Sequence, residues 1–246
     1  MNSFLSFHRV SCHKGKAAQQ TQILKQLSFS VEEGEIVSLL GTSGAGKTTI
    51  LRLIVGLDSF SKGEIQYMGR PLREMDVVAL RREIGFVAQL PHLFPGTVAE
   101  NLLFAPTIHK QPIDDRQAFV GTLLDRVGLP KDMASRITVD LSVGQQMRVS
   151  LARTLANQPK MLLLDEPTAS LDRASAAQIL SLIRELNQQQ GLTIMAVTHD
   201  LNAVKILDGR SLFLHQGQIV EQGPSQTILN QPQSAILQDF LEGNVT

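Results

Sequence analysis

The stretch EIVSLLGTSGAGKTT, residues 35–49, decides the fold class of this chain. Its first six residues are mostly apolar and predict a strand over 35–40. A loop with three glycines follows, and the pattern over 47–57 predicts a helix. A strand that runs through a glycine-rich loop straight into a helix is typical of an α/β domain.

Other segments repeat this alternation of strand and helix. Strands are predicted at 84–89, 161–166 and 193–200, and the MLLL at the start of the second is apolar throughout, as in a parallel strand covered on both faces. A helix is predicted at 173–190, with Gly191 as its stop signal. We therefore predict an α/β fold with a mostly parallel core sheet.

Two hairpin-like pairs predict antiparallel strands that flank this core sheet. LSFSVEEGEIVSL turns at Glu33 and Gly34. SLFLHQGQIVEQ turns at Gln216 and Gly217, which is a similar pattern of two strand-like runs around a glycine turn.

The middle of the chain, residues 90–157, differs because it carries helical signals without a good strand. Thr97 and Glu100 form a capping-box pattern that predicts a helix starting at Val98. We interpret this segment as a helical subdomain inserted into the α/β core.

The insertion divides the rest of the chain into a core and a tail. The core is predicted to consist of residues 4–89 and 158–222. The tail, residues 223–246, has two weak helical patterns separated by Pro232. Together these parts predict one domain over 4–246.

Composition narrows the function classes. Of the 246 residues, 43% are hydrophobic and 19% charged, and the 23 Lys plus Arg balance the 23 Asp plus Glu, so no basic excess suggests a nucleic-acid partner. The single Cys12 allows no internal disulfide, which suits a reducing compartment. No apolar run approaches the ~20 residues of a membrane helix, and the first residues do not form a signal peptide. We expect a cytoplasmic protein.

The loop GTSGAGKT, residues 41–48, fits the pattern G-x-x-x-x-G-K-[ST] in the required place between a strand and a helix. Its glycines let successive backbone N–H groups point inward at an anion, and the helix N-terminus adds partial positive charge. Lys47 can reach the β- and γ-phosphates of a nucleotide, and the Thr48 hydroxyl can bind Mg²⁺. A plain glycine turn before a helix is the weaker interpretation.

Two acids stand at the end of the buried strand that starts at Met161. Asp165 lies where that strand ends, at the sheet edge where ligands of open α/β sheets bind, and can hold Mg²⁺. Glu166 can polarise a water for attack on the γ-phosphate. Phosphate loop and acids together indicate a P-loop NTPase with a RecA-like parallel core. GTPases, kinases, helicases and transporters remain open, although no guanine-reading N-K-x-D run occurs.

A further motif, LSVGQQ at 141–146, completes a recognisable series. The order of GTSGAGKTT, Gln89, LSVGQQ, MLLLDEPTASLD and His199 resembles the ATP-binding cassette (ABC) ATPases, from about residue 4 to the end of the chain. The spacing between the motifs is also similar to that family.

The resemblance implies a role for each matching residue. Gln89 is similar to the family's glutamine that contacts Mg²⁺ and water and senses the membrane partner. Asp165 resembles the metal-site aspartate and Glu166 the general base. Asp172 lies in the loop expected to cross a dimer interface, and His199 resembles the histidine that contacts the γ-phosphate. The nucleotide-binding loop implied by the resemblance comprises Gly41, Thr42, Ser43, Gly44, Ala45, Gly46, Lys47, Thr48 and Thr49.

In this family, the LSVGQQ-type loop covers the ATP held by a second subunit. Ser142 offers a hydroxyl, Gly144 an accessible N–H, and Gln145 is retained. A helix predicted from about residue 145 would aim its positive end at the phosphate. The resemblance therefore implies a homodimer that holds two ATP molecules between its subunits.

Two positions depart from the family pattern. Val143 stands where the family usually has glycine. The stretch RVSCHKGKAAQQTQILK has no Tyr or Phe to stack on adenine, and His13 would stack more weakly. We therefore expect GTP to compete with ATP better than is usual in the family. A competition binding assay measures this, and a strict preference for ATP would contradict it.

Three functions fit the resemblance to different degrees. The first is the ATPase subunit of a membrane transporter, bound to an integral-membrane permease at the inner face of the cell membrane. The stretch PHLFPGTVAENLLFA has apolar residues suited to docking a permease helix. A soluble ABC ATPase in DNA repair or translation is the alternative, and a regulator that hardly hydrolyses ATP is the third. The tail resembles importer cassettes, while 90–109 is similar to metal-efflux and phosphate-type cassettes, so the sequence leaves cargo and direction open.

Overall fold

The computed structural model describes residues 3–15 and 20–245. Its strands are β1 (Leu5–Lys14), β2 (Thr21–Val31), β3 (Ile36–Gly41), β4 (Lys62–Tyr67), β5 (Arg70–Pro71), β6 (Ile84–Val87), β7 (Met161–Asp165), β8 (Thr193–Val197), β9 (Arg210–His215) and β10 (Gln218–Pro224). The four strands predicted in the core are therefore present, although those at β6 and β8 end earlier than expected.

The helices are α1 (Lys47–Ile54), α2 (Val77–Glu83), α3 (Val98–Ile108), α4 (Arg116–Arg126), α5 (Val143–Leu155), α6 (Arg173–Gln190), α7 (Leu201–Leu207), α8 (Ser225–Asn230) and α9 (Ala235–Leu241). The bounds of α6 agree with the prediction, and Gly191 ends it in the left-handed conformation. In the part of the chain that the structure describes, no helix combines the length and the apolar character needed to cross a membrane.

The core sheet has six strands in the order β10-β9-β3-β8-β7-β6. The strands β9, β3, β8, β7 and β6 run parallel, and β10 closes one edge antiparallel to β9. Strand β3 lies inside the sheet and is buried along its whole length. The α/β prediction is thus confirmed, and the phosphate loop begins at the carboxyl end of an interior strand.

A second sheet of four antiparallel strands, β2-β1-β4-β5, lies outside the core sheet. Its inner side chains share an apolar cluster with α1 and β3, to which Phe7, Leu24, Ile50 and Leu39 belong. The predicted hairpin at Glu33 and Gly34 is wrong, since β2 and β3 belong to different sheets. Strand β3 is apolar on both faces and needs cover on both, whereas β2 has exposed positions and suits the outer sheet.

The segment 90–157 contains α3, α4 and α5, as predicted. Thr97 and Glu100 form the expected capping box, in which the Thr97 hydroxyl accepts from the Glu100 N–H and the Glu100 carboxylate accepts from the Thr97 N–H. Met147 and Leu151 of α5 are buried in a cluster that continues into β7 and α6. This packing holds the N-terminus of α5 beside that of α6.

The two helical patterns of the tail are confirmed as α8 and α9. Leu237 of α9 is fully buried in a small cluster with Leu40, Val204, Phe213 and Ile228. Leu40 directly precedes the phosphate loop, so α9 is packed next to it.

Candidate functional site

The phosphate loop must begin with a glycine, because β3 and β9 approach each other closely at that point. A Cβ atom on Gly41 would lie 2.1 Å from the carbonyl oxygen of Leu214 on β9, so only glycine fits there. Gly46, the residue before α1, has φ 105°, a value that side chains rarely tolerate. These constraints turn the chain sharply from β3 into α1 and direct the loop outward from the sheet edge.

Lys47 lies folded into this loop, and only 9% of the residue is exposed. Its ammonium donates to the carbonyl oxygens of Gly41 at 2.7 Å and Thr42 at 2.9 Å. Burial lowers the pKa of Lys47, while the nearby carboxylates of Glu166 and Asp165 act in the opposite direction. A positive charge is therefore held at the centre of the loop, where an anion would complement it.

Thr48 and Asp165 come together although they lie far apart in sequence. The Thr48 hydroxyl donates to Oδ1 of Asp165 at 3.0 Å. Burial raises the pKa of Asp165, and the hydrogen bond from Thr48 opposes this shift. One hydroxyl and one carboxylate at the same point are hard oxygen ligands, the kind that Mg²⁺ prefers, so the residues present fit a magnesium ion.

Glu166 and His199 form a second pair at the same sheet edge. They follow the adjacent parallel strands β7 and β8, and Nδ1 of His199 lies 3.1 Å from Oε2 of Glu166. Glu166 has φ 48°, and its N–H donates to the carbonyl of Val197 at 3.0 Å. A non-glycine residue with positive φ next to buried strands is a strained arrangement of the kind often kept for function.

Lys47, Thr48, Glu166 and His199 line one cavity of about 920 Å³, which we call the phosphate-loop cavity, whereas the predicted site residues Thr42 and Asp165 are absent from its described lining. Its size is within the range of small-molecule sites. Its lining residues are Ile23, Gly41, Ser43, Gly44, Ala45, Gly46, Lys47, Thr48, Thr49, Glu166, His199, Leu201, Phe240, Leu241, Glu242, Gly243 and Val245. A cationic loop thus faces an acid–histidine pair across a volume that can hold a nucleotide.

Glu166 and His199 also line a smaller cavity of about 210 Å³, together with Thr168, Ala169, Thr198 and Asp200. Both side chains therefore stand between the two spaces. The smaller space is polar and can hold water next to the Glu166 carboxylate.

Gln89 lies apart from this group. It is exposed two residues beyond the end of β6, and it is absent from the described lining of the phosphate-loop cavity. The expectation that the strand reaches residue 89 is wrong, because hydrogen bonding to β7 ends at Val87. The geometry therefore leaves Gln89 on a segment leading to the helical insertion.

Ser142, Gly144 and Gln145 line a different cavity, of about 350 Å³, between α5 and α6. Helix α5 starts at Val143, not at about residue 145, because Ser142 caps it: the Ser142 hydroxyl accepts from the Gln145 N–H, and the Gln145 side chain accepts from the Ser142 N–H. Val143 is exposed in the first turn.

Asp172 caps α6, since its carboxylate accepts from the N–H groups of Ala174 and Ser175 at 3.0 Å. Hydrogen bonding to Ser175 lowers the pKa of Asp172, with the Ser175 side chain as the largest cause and its N–H as the next. Like Gln89 and the α5 residues, Asp172 is absent from the described lining of the phosphate-loop cavity.

Sequence reasoning missed the tail residues of the cavity wall. Phe240 and Leu241 belong to a pattern that predicts a short helix, Val245 follows it, and none of the three carries a ligand signal. Ile23 and Leu201 were missed for the same reason. An apolar residue on a strand or helix has the same sequence pattern whether it packs in the core or lines a cavity. Part of the stretch RVSCHKGKAAQQTQILK, residues 16–19, lies outside the described residues.

Known proteins with this pattern and shape are ATP-binding cassettes. The ABC transporter family profile matches residues 24–169. The L-cystine import ATP-binding protein TcyC of Bacillus subtilis is 36% identical over 92% of this chain and 94% of its own length. The methionine import ATP-binding protein MetN of Caulobacter vibrioides is 39% identical over 91% of this chain and 69% of its own length.

Solved structures agree with the sequence relatives. The cassette MJ0796, in a dimer bound to ADP and Pi after hydrolysis, superimposes with a TM-score of 0.81 at 31% identity, covering 90% of this chain and 98% of its own. CbiO1 of Clostridium perfringens, part of the transporter complex CbiONQ, gives 0.85 at 29% identity, covering 94% and 92%. Relatives that match along nearly the whole chain thus agree with a cavity built for a nucleotide, and the chain belongs to the ABC transporter family as one of its ATP-hydrolysing subunits.

Proposed function

We propose that the phosphate-loop cavity holds ATP with Mg²⁺ and that Glu166 is the general base of hydrolysis. The observation that carries this assignment is the 3.1 Å contact between His199 and Glu166, in a cavity that the buried Lys47 also lines. A base, an orienting partner and a fixed cation around one space meet the geometric requirements for phosphoryl transfer to water.

The loop residues bind the phosphates. Lys47 exchanges its hydrogen bonds with the carbonyls of Gly41 and Thr42 for phosphate oxygens, and the first turn of α1 adds N–H donors. Thr48, Asp165 and Gln89 would hold Mg²⁺, with Gln89 brought in by its exposed segment. When bound, the ion neutralises charge on the β- and γ-phosphates.

The acid–histidine pair acts on the water. The Glu166 carboxylate accepts a proton from the attacking water, while the 3.1 Å contact with Nδ1 of His199 keeps that carboxylate in place. The exposed imidazole, with 63% of the side chain accessible, can contact the γ-phosphate from the cavity side. The positive φ of Glu166 places its side chain between the two cavities, where water and phosphate meet.

A second copy of the chain is proposed to complete the site. Ser142, Gly144 and Gln145 line a separate cavity at the N-terminus of α5, an end that favours anions. Because the same chain presents its phosphate loop elsewhere, twofold pairing would place the α5 terminus of one protomer on the phosphates of the other. The dimer of MJ0796 supports such an assembly.

Ser142→Arg is expected to abolish ATP-dependent dimer formation while the isolated chain still binds ATP. The added guanidinium would fill the space in front of the α5 N-terminus, where the partner's phosphate should sit. Analytical ultracentrifugation with and without ATP measures the assembly, and titration with a fluorescent ATP analogue measures binding.

Thr122→Arg is the matched control, because it adds the same side chain to an exposed position of α4. The control should dimerise like the original protein. Loss of ATP binding in the Ser142→Arg monomer would mean that Ser142 belongs to the pocket of its own chain, and the shared site would be refuted.

An apolar groove on the surface of the chain supports the proposal of a permease partner. This groove, of about 420 Å³, is lined by residues that include Leu57, Phe94, Phe104, Ile108 and Arg153. The rings of Phe94 and Phe104 contact each other at 4.1 Å between centroids, yet both side chains stay exposed, and 57% of Ile108 is accessible. Exposed apolar residues clustered in one concave surface indicate a protein partner.

We assign this groove to a short helical segment of an integral-membrane permease, which would hold the chain at the inner face of the membrane. A helix laid into an apolar groove is a common mode of recognition. The groove is next to the segment of Gln89, so a shift of the permease can reach the catalytic residues. The names of TcyC and MetN favour import as the direction and amino acids as the cargo class.

Ile108→Glu is expected to release the chain from the membrane fraction of cells that produce it, because a carboxylate would be desolvated in the groove. Fractionation and immunoblotting measure the distribution, and ATP binding by the purified variant should be unchanged. Val139→Glu is the control, since Val139 is 76% exposed and lies outside the described lining of the groove. Equal membrane association of both variants would contradict the docking assignment.

A further inference from the structure

One wall of the phosphate-loop cavity is formed by the tail, which has no task in the mechanism above. Phe240, Leu241, Glu242, Gly243 and Val245 all line the cavity. Phe240 and Leu241 belong to the last turn of α9, and the residues after it continue the turn, since the Gly243 N–H donates to the carbonyl of Phe240 and the Asn244 N–H donates to that of Asp239. The end of the tail is therefore folded back against the helix.

The start of α9 is held by specific hydrogen bonds. The carboxylate of Glu221 on β10 accepts from the N–H groups of Gln233 at 3.0 Å and Ser234 at 2.9 Å. The Ser234 hydroxyl then caps α9 by accepting from the Leu237 N–H at 3.2 Å. With Leu237 fully buried, both the position and the direction of α9 are determined by the core sheet.

The same packing ties the tail to the catalytic loops. Phe240 contacts Phe213 of β9 at 5.1 Å between ring centroids. The cluster around Leu237 includes Leu40, the residue before the phosphate loop, and Leu201, two residues after His199, packs against it. The tail wall is thus built on the strands and loops that carry the site.

The part of the cavity lined by the tail is apolar, whereas the part lined by the phosphate loop is polar and cationic. Lys47 and the loop amides suit phosphate, whereas the tail presents the apolar side chains of Phe240, Leu241 and Val245, with Ile23 from β2 in the same lining. The nearby carboxylate of Glu242 would repel a polyphosphate. Of the parts of a nucleotide, only the nucleoside has apolar surface that such a wall could cover.

We propose that the tail is the nucleoside-binding wall of the cavity, with Phe240, Leu241 and Val245 covering the ribose and base of ATP. This inference rests on the proposed ATP site. The stretch RVSCHKGKAAQQTQILK, residues 9–25, has no Tyr or Phe, and Phe240 contributes the one phenyl ring among the described lining residues. Since the wall is apolar, it contributes affinity for a nucleoside with little discrimination between adenine and guanine.

The test compares affinity for ATP with affinity for inorganic tripolyphosphate, which lacks the nucleoside. The double variant Leu241→Ser with Val245→Ser removes apolar surface and leaves the contact between Phe240 and Phe213 intact. We expect about a tenfold rise in the Kd for ATP, the scale set by losing a few apolar carbons from a contact, and no change for tripolyphosphate. Displacement of a fluorescent ATP analogue from the full chain measures both.

Ile236→Ser is the matched control, because it removes apolar surface from the same helix at a position outside the described lining of the cavity. It should leave both affinities unchanged. Phe240→Ala is the second variant, with an expected rise of about 5- to 100-fold for ATP. Thermal unfolding is followed for every variant, and Val245→Ser alone replaces any variant that does not fold.

The outcomes separate two failures. If the original chain binds neither ATP nor tripolyphosphate, the proposed ATP site itself fails. If it binds both and the variants keep the same ratio of the two Kd values, the site stands and the nucleoside wall is refuted. Tighter ATP binding by the double variant would mean that the tail obstructs the cavity, which also overturns the inference.

Discussion

Glu166→Gln should reduce ATP hydrolysis by about 10²–10⁴-fold while ATP binding is retained. The amide has nearly the same size and can still accept a hydrogen bond, but it cannot take a proton from water at neutral pH. The phosphate loop is untouched, so Lys47 and Thr48 keep their places. Phosphate release in single and multiple turnovers measures the loss, and binding of a fluorescent ATP analogue measures the retained affinity.

The same variant should accumulate ATP-bound dimers, because the nucleotide that joins two protomers is no longer removed. Glu185→Gln provides the control, as it makes the same chemical change at an exposed position of α6. Normal turnover by Glu166→Gln would mean that another group accepts the proton, and the assignment of the base would be wrong.

Lys47→Ala should remove most of the affinity for ATP. Each charge-assisted hydrogen bond contributes about 1.5–3 kcal/mol, so losing an ammonium that contacts two phosphates should raise the Kd by ~10²-fold or more. The substitution also removes two hydrogen bonds within the loop, because the Lys47 ammonium donates to the carbonyls of Gly41 and Thr42. Equilibrium titration with ATP measures the effect.

Lys47→Met separates charge from loop structure, because it keeps much of the buried side-chain volume and removes only the ammonium. Similar losses for the Ala and Met variants would show that charge is responsible. Lys205→Ala, on the exposed side of α7, is the control for a general change of charge. Unchanged ATP affinity in Lys47→Met, with an unchanged unfolding temperature, would refute the role of the loop as phosphate cradle.

Short-range sequence patterns predicted much of the secondary structure. The strand β7 that ends at Asp165, the capping box at Thr97 and the bounds of α6 are each specified by neighbours a few residues away, and the glycine pattern of the phosphate loop is recognisable over the same short range. Hydrogen bonds within a turn and the spacing of apolar residues act over the same short range. Such features were therefore predictable without any knowledge of the fold.

Other features depend on contacts between distant parts of the chain. The sequence alone suggested a hairpin for β2 and β3, since a glycine turn separates two strand-like runs, but burial of β3 on both faces assigns the two strands to different sheets. The 3.1 Å contact of Glu166 with His199 arises because β7 and β8 are adjacent and parallel. Strand order depends on how the whole sheet and its helices pack, so no short sequence pattern indicates it.

By itself, the sequence determined that this chain carries a phosphate loop, an acidic pair and the motifs of an ABC ATPase, because those residues act through spacing along the backbone. Only the tertiary structure decided that the tail lines the same cavity as the phosphate loop and that the α5 N-terminus lines a different one. Apolar side chains such as Phe240 and Leu237 pack wherever complementary surface is available, so their position follows from the completed core and not from their own neighbours.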